Sequence, residues 1–154
     1  MTLYLFALLI GVVAGLRALT APAVISWVAC CGWLHLQGSW LAFLGYAWTP
    51  WILTVLALGE LVTDQLPSTP SRTVPVQFGT RVLMGAASGA ALGIPSGAWI
   101  GGLVAGAVGA VIGTLGGRTA RAKLAVALGR DRPAALIEDV VAIGGALLIV
   151  MVAT

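Results

Sequence analysis

Apolar residues form six runs along this chain, and most of the polar residues lie between these runs. A helix needs about 20 apolar residues to cross a lipid bilayer, and the longer runs approach or exceed this length. The pattern predicts an all-α, polytopic membrane protein whose 154 residues form a single domain of about six embedded helices. The runs cover residues 2–16, 21–36, 40–66, 78–95, 97–115 and 134–153.

The first two runs are short, and they can be arranged in two ways. Either both cross the membrane, or residues 3–36 form a re-entrant hairpin with "RALTAP" (17–22) at its tip. Such a hairpin enters and leaves on one side, and irregular backbone at membrane depth is tolerated only where protein or water covers it. The sequence leaves both arrangements open.

The basic residues predict an orientation. With six crossings, all eight Arg and Lys residues fall on one side, which the positive-inside rule makes cytoplasmic. We then expect both termini, His35 and the Trp-rich stretch at residues 40–51 to lie outside. Residues 116–132 are too basic to cross, and they predict a short amphipathic helix at the cytoplasmic interface.

Composition supports a membrane protein and argues against several other classes. The chain is 60% apolar and only 8% charged, whereas soluble domains carry about a quarter charged residues. The net charge of +3 is too small to indicate nucleic-acid binding. We interpret Cys30 and Cys31 as small buried apolar residues. No nucleophile, phosphate-loop or metal-cluster motif stands out, so we expect neither an enzyme nor a cofactor.

Glycines recur at every fourth position in the fourth and fifth runs. This spacing places small residues on one helix face, where it allows two backbones to approach closely. It predicts tight helix packing, either within one chain or between two copies. The series comprises Gly85, Gly89, Gly93, Gly97 and Gly101, then Gly102 and Gly106, and then Gly109, Gly113 and Gly117, with Gly11 and Gly15 as a similar pair in the first run.

Two carboxylates lie near the end of the third apolar run. Glu60 and Asp64 are one helical turn apart, so they share a helix face. An ionised carboxylate costs about 2.5–3.5 kcal/mol or more at full membrane depth, so it should face protein or water and have a partner. Arg17, Arg72 and Arg81 are the candidate partners of Glu60 on the same side.

A second acidic pair, Glu138 and Asp139, opens the last run and leaves two interpretations. Acidic side chains near a helix N-terminus stabilise the helix dipole. Alternatively, the pair forms a second acidic site that faces Arg118 or Arg121 across the bundle.

In residues 1–77 and again in 78–154, a glycine-bearing helix ends near an arginine and a helix with two acids follows, which suggests an inverted repeat of two halves.

The segments "GLRALTAPAVISW" (15–27), "ELVTDQLPSTPSRT" (60–73) and the basic segment 116–145 resemble a family of small bacterial integral membrane proteins. This family is catalogued as domain of unknown function 4126. The resemblance covers nearly the whole chain, and "TPSR" (69–72) is its most specific part. It implies a multi-pass protein of the bacterial inner (plasma) membrane, but it implies no substrate or activity.

These features favour a small transporter or permeation protein for an ion or a small anionic solute. Its partners would be membrane lipids, the solute and another copy of the chain, most simply in a homodimer, because one copy of this size encloses little space. Two alternatives stay open: a scaffolding membrane protein without a solute path, and a lipid-handling protein. The predicted site residues are Arg17, Glu60, Asp64, Arg72, Arg118, Arg121, Glu138 and Asp139.

Overall fold

A computed structural model describes residues 1–66 and 74–154, which form six α-helices, two short 3-10 turns and no β-strand. The prediction of an all-α fold with six helices is confirmed for these residues. The helices are α1 (Thr2–Leu16), α2 (Thr20–Cys30), α3 (Thr49–Thr63), α4 (Pro75–Gly93), α5 (Trp99–Leu128) and α6 (Asp131–Ala153).

Proline and glycine explain several of the helix ends. Pro50 lies in the first turn of α3 and Pro75 in that of α4, where the missing N–H is not needed. The predicted run 40–66 therefore yields a helix only from Thr49, and the segment before it forms turns. Gly97 and Gly129 follow helical segments with φ of 72° and 68°, a left-handed conformation that glycine adopts without strain.

The fifth and longest helix differs from the prediction. Residues 116–132 do not form a separate amphipathic helix, because α5 continues without a break from Trp99 to Leu128. No proline occurs within this range, and Gly116 and Gly117 are accommodated inside the helix. With 30 residues, α5 is about 45 Å long.

Helices α1, α4 and α5 pack together through their glycines. Gly11 of α1 faces Gly106 of α5, and Gly15 faces the backbone near Thr114, so α1 and α5 run parallel. Gly85 of α4 also faces Gly106, while Gly89 faces Gly102, so α4 runs antiparallel to α5. A Cβ atom on any of these glycines would overlap the backbone of the neighbouring helix. Close packing is thus confirmed within one chain.

Helices α1 and α2 form a hairpin whose tip, residues 17–19, is buried in the bundle. Helix α2 runs antiparallel to α3, since Leu19 contacts Glu60 near one end and the Trp27 indole donates to Thr54 Oγ1 (2.9 Å) nearer the other. The segment after α2 returns to the start of α5, where the Trp40 and Trp99 rings are 6.4 Å apart. The hairpin therefore starts and ends at the same end of the bundle, as it would in both arrangements that the sequence leaves open.

The helix directions are those that the suggested inverted repeat requires. Taken in order, α1, α2 and α3 run opposite to α4, α5 and α6. The two glycine-bearing helices that precede or contain arginines, α1 and α5, run parallel. The two acid-bearing helices approach Arg17 from opposite directions, α3 with its C-terminal end and α6 with its N-terminal part. The glycine-bearing helices α1 and α5 are the first helix of one half and the second helix of the other, so they are not equivalent in such a repeat. The repeat itself stays a prediction.

The outer surface of the bundle is rich in apolar side chains. Two helices, α5 and α6, are long and apolar enough to cross a membrane, and α1, α2 and α3 are shorter apolar helices. Cys30 and Cys31 are exposed, so the expectation that they are buried is wrong: they lie where α2 ends and the chain turns away.

Candidate functional site

Arg17 is the centre of a buried ionic cluster at the hairpin tip. Its side chain is fully buried, and its Nε donates to Asp139 Oδ1 of α6 at 2.7 Å. Nη1 forms an ion pair with Asp64 at the end of α3, and Nη2 lies against the same oxygen of Asp139. One guanidinium thus joins α3 and α6, as a buried charge requires partners.

Glu60 binds the backbone of the tip. Its Oε1 accepts a hydrogen bond from the Ala18 N–H (2.8 Å), and its Oε2 accepts one from the Leu19 N–H (2.9 Å). The first N–H groups of a helix have no partner within the helix, and the helix dipole favours an anion there. Ala18 and Leu19 directly precede α2, so Glu60 of α3 binds the backbone at the entry to α2, a role that the sequence does not predict.

Arg81 binds the other helix end at the tip. It is 2% exposed, and its Nη1 donates to the carbonyls of Gly15 (2.9 Å) and Leu16 (2.6 Å) at the end of α1. Its Nη2 lies 3.5 Å from Asp64 Oδ2 and 3.7 Å from Glu60 Oε1. The sequence predicts Arg81 only as a candidate partner of Glu60, although Arg81 is the single charge in the run 78–95.

A second ionic cluster adjoins the first between α5 and α6. Arg121 donates from Nε and Nη2 to the two carboxylate oxygens of Asp131 (3.0 and 2.6 Å), and its Nη1 lies 3.6 Å from Glu138 Oε2. Its Nη2 is also 3.4 Å from the Asp64 carbonyl oxygen, which links the two clusters.

The dipole interpretation of Glu138 and Asp139 is wrong. Helix α6 begins at Asp131, so the pair lies about two turns inside it, and Asp131 takes the position in the first turn. Both side chains are buried. The alternative is correct for Glu138, which faces Arg121, whereas Asp139 faces Arg17 rather than Arg118.

The structure brings together most, but not all, of the predicted site residues. Arg118 is exposed on α5 and makes no ion pair within the described part of the chain. Arg72 lies outside the described residues. The residues that do come together are Arg17, Glu60, Asp64, Arg121, Glu138 and Asp139.

A cavity of about 510 Å³ lies beside the first cluster, between α3 and α4. Charged Glu60, Asp64 and Arg81 form part of its wall, together with the hydroxyl and amide groups of Thr63, Thr80 and Gln77. The remaining wall is mainly apolar. The size suits a small solute, since ligand pockets usually have about 300–1,000 Å³.

The chemistry of this arrangement is ionic and polar. Carboxylates and guanidinium groups reach the cavity wall, so the site offers charged groups that can bind small ions. Among the residues that the structure describes, no group of three His, Cys, Asp or Glu side chains is placed to hold a metal ion.

Comparison of the chain with protein-family models, with curated proteins and with solved structures gives no match. The resemblance to the family catalogued as domain of unknown function 4126 stays a prediction.

Proposed function

We propose that this chain is a multi-pass protein of the bacterial inner membrane that transports an ion or a small anionic solute through the cavity at the hairpin tip. In this proposal the basic end of the bundle faces the cytoplasm, and both termini face outward. The protein acts as a homo-oligomer, most simply a dimer, because one copy encloses little space.

The apolar surface supports the membrane embedding. Val55 on α3, Ile112 on α5 and Val140 on α6 are each more than half exposed, as are many other large apolar side chains. In water, apolar patches of this kind promote association, whereas lipid tails solvate them without cost. The ionised side chains of Arg17 and Asp139, by contrast, are buried between helices, where a membrane protein must keep them.

One observation carries the transport proposal: two helix ends meet inside the bundle, next to a cavity with ionised walls. Interrupted helices of this kind form ion and substrate sites in secondary transporters, because their terminal carbonyl and N–H groups can bind charge. Here Arg81 binds the last carbonyls of α1 and Glu60 binds the N–H groups before α2. Both side chains also line the cavity.

Filling the cavity tests this proposal without breaking an ion pair. Thr80 lines the cavity, is exposed, and donates its hydroxyl to Val76 of its own helix (2.8 Å). We expect Thr80→Trp to abolish charge movement in proteoliposomes on a solid-supported membrane, with steps of pH, potassium and phosphate as probes. The matched control is Val104→Trp on the outer surface of α5, which should leave charge movement unchanged.

A scaffolding protein without a solute path is the second candidate. The scaffolding function is favoured because the acidic side chains already have partners: each of the five contacts an arginine or a backbone N–H. This function predicts no charge movement in the wild-type protein for any probe. It also predicts that Glu60→Gln weakens the fold without a transport phenotype, whereas a transporter should lose transport while the fold persists.

A further inference from the structure

The far end of α5, the turn that follows it and the first turn of α6 carry an exposed basic surface. We call it the basic end surface, and it consists of Arg118, Lys123, Arg130 and Arg132, all of which are exposed. Arg118, Lys123 and the 83% exposed Val126 fall within about 140° of one another around the helix axis. Cations and an apolar side chain thus share one outward face.

Within the described residues, no acidic side chain forms an ion pair with this surface: Asp131 lies between Arg130 and Arg132 in sequence, but it pairs with Arg121. The chain has five acidic residues, and the contacts described above connect them to Arg17, Arg81 and Arg121. None of the four cations of the basic end surface forms an ion pair within residues 1–66 and 74–154. Residues 67–73 contain no acid in their sequence. A partner for these charges must therefore come from outside the chain.

The position of the surface along α5 matches the depth of lipid headgroups. The apolar part of α5, from Trp99 to Gly117, is about 28 Å long, close to the roughly 30 Å of a hydrocarbon core. Arg118 follows directly, and Lys123 lies about 7.5 Å further along the helix. This step rests on the membrane embedding proposed above.

We infer that the basic end surface binds the headgroups of anionic phospholipids in the inner leaflet. The phosphate groups supply the missing negative charge, and the interface solvates Val126. Juxtamembrane basic residues attract anionic lipid in this way, with an effect of about fivefold in affinity for each Lys or Arg. The attraction should weaken as salt is raised, because the Debye length falls from about 10 Å at 0.1 M to about 3 Å at 1 M.

Native mass spectrometry of the protein in neutral detergent tests this inference. Phosphatidylglycerol and phosphatidylcholine are titrated separately, and the dissociation constant of each lipid is measured. We expect the wild type to prefer phosphatidylglycerol. Lys123→Gln should weaken its binding about fivefold, and Arg130→Gln with Arg132→Gln should weaken it further, while phosphatidylcholine binding stays unchanged. Lys123→Arg keeps the charge and is the matched control.

Two results would overturn the inference. If the wild type binds the two lipids with equal affinity, the surface does not select anionic lipid, and an acidic protein segment becomes its expected partner. If the charge variants bind phosphatidylglycerol as tightly as the wild type does, this lipid binds at another site on the protein. The membrane embedding is tested separately. If the embedding is wrong, the wild type will not stay in phosphatidylcholine nanodiscs during alkaline washing.

Discussion

At the scale of single residues, Arg17 has the largest expected effect on stability. Removing one partner of a buried ion pair typically costs about 3–5 kcal/mol, because the charge left behind stays buried. We expect Arg17→Ala to lower the free energy of unfolding by about this amount, since Asp139 loses its guanidinium. Denaturant unfolding in detergent micelles measures the change.

Arg118→Ala is the control for this prediction. It removes the same side chain from the same end of the molecule, but Arg118 is exposed and pairs with no acid in the described ranges. Its free energy of unfolding should therefore stay within about 0.5 kcal/mol of the wild type. Similar losses for the two variants would show that the cluster around Arg17 does not hold the helices together.

Single residues also show what the sequence could and could not predict. The need for partners followed from the cost of a buried carboxylate, and it named Arg17 and Arg81 as candidate partners of Glu60. Arg81 does lie 3.7 Å from Glu60, whereas Arg17 pairs with Asp64 instead. The contact between Arg17 and Asp139 spans 122 positions, and no local pattern encodes it. The binding of Glu60 to the backbone before α2 depends on where the hairpin tip lies, which only the packing of α3 against α2 determines.

At the scale of helices, the glycine contacts make a sharp prediction. A Cβ on Gly106 would overlap the Gly85 carbonyl oxygen, and both backbones are held by their own helices. Overpacking a core costs about 1–3 kcal/mol, so we expect Gly106→Ala to destabilise the protein by at least this amount. Thermal unfolding in detergent measures the effect.

Gly116→Ala provides the comparison within the same helix. A Cβ at Gly116 meets no atom within 4 Å, and alanine favours the helix over glycine by about 1 kcal/mol. This variant should be as stable as the wild type or more stable. Equal destabilisation by both variants would contradict the view that the glycines serve close contact between helices.

At the scale of helices, the sequence pattern predicted the packing faces but not all of the helix boundaries. The four-residue glycine spacing correctly indicated which faces pack, yet Gly97, part of the same series, lies in a turn with nothing near it. Spacing alone cannot separate these cases, because Pro95 ends α4 locally. In the same way, the charges after Arg118 suggested a break in α5, although charged residues are compatible with a continuing helix.

At the scale of the whole molecule, the two ends of the bundle differ in charge. The end at the start of α5 carries the tryptophans Trp40 and Trp99, and the opposite end carries the basic end surface. With the membrane embedding proposed above, the positive-inside rule predicts that the tryptophan end faces outward. This assignment is independent of whether the α1–α2 hairpin is re-entrant, because the hairpin returns to the end from which it starts.

Labelling of engineered cysteines measures this orientation. Cys30 and Cys31 are the only cysteines, and both are exposed, so serine should replace them without loss of packing. In that background, Gln37→Cys places a thiol in the loop near the tryptophan end, and Ala127→Cys places one near the end of α5; both positions are exposed. We expect a membrane-impermeant maleimide to label residue 37 in intact spheroplasts. Residue 127 should react only after the membrane is disrupted, and the reverse pattern would mean that the bundle has the opposite orientation.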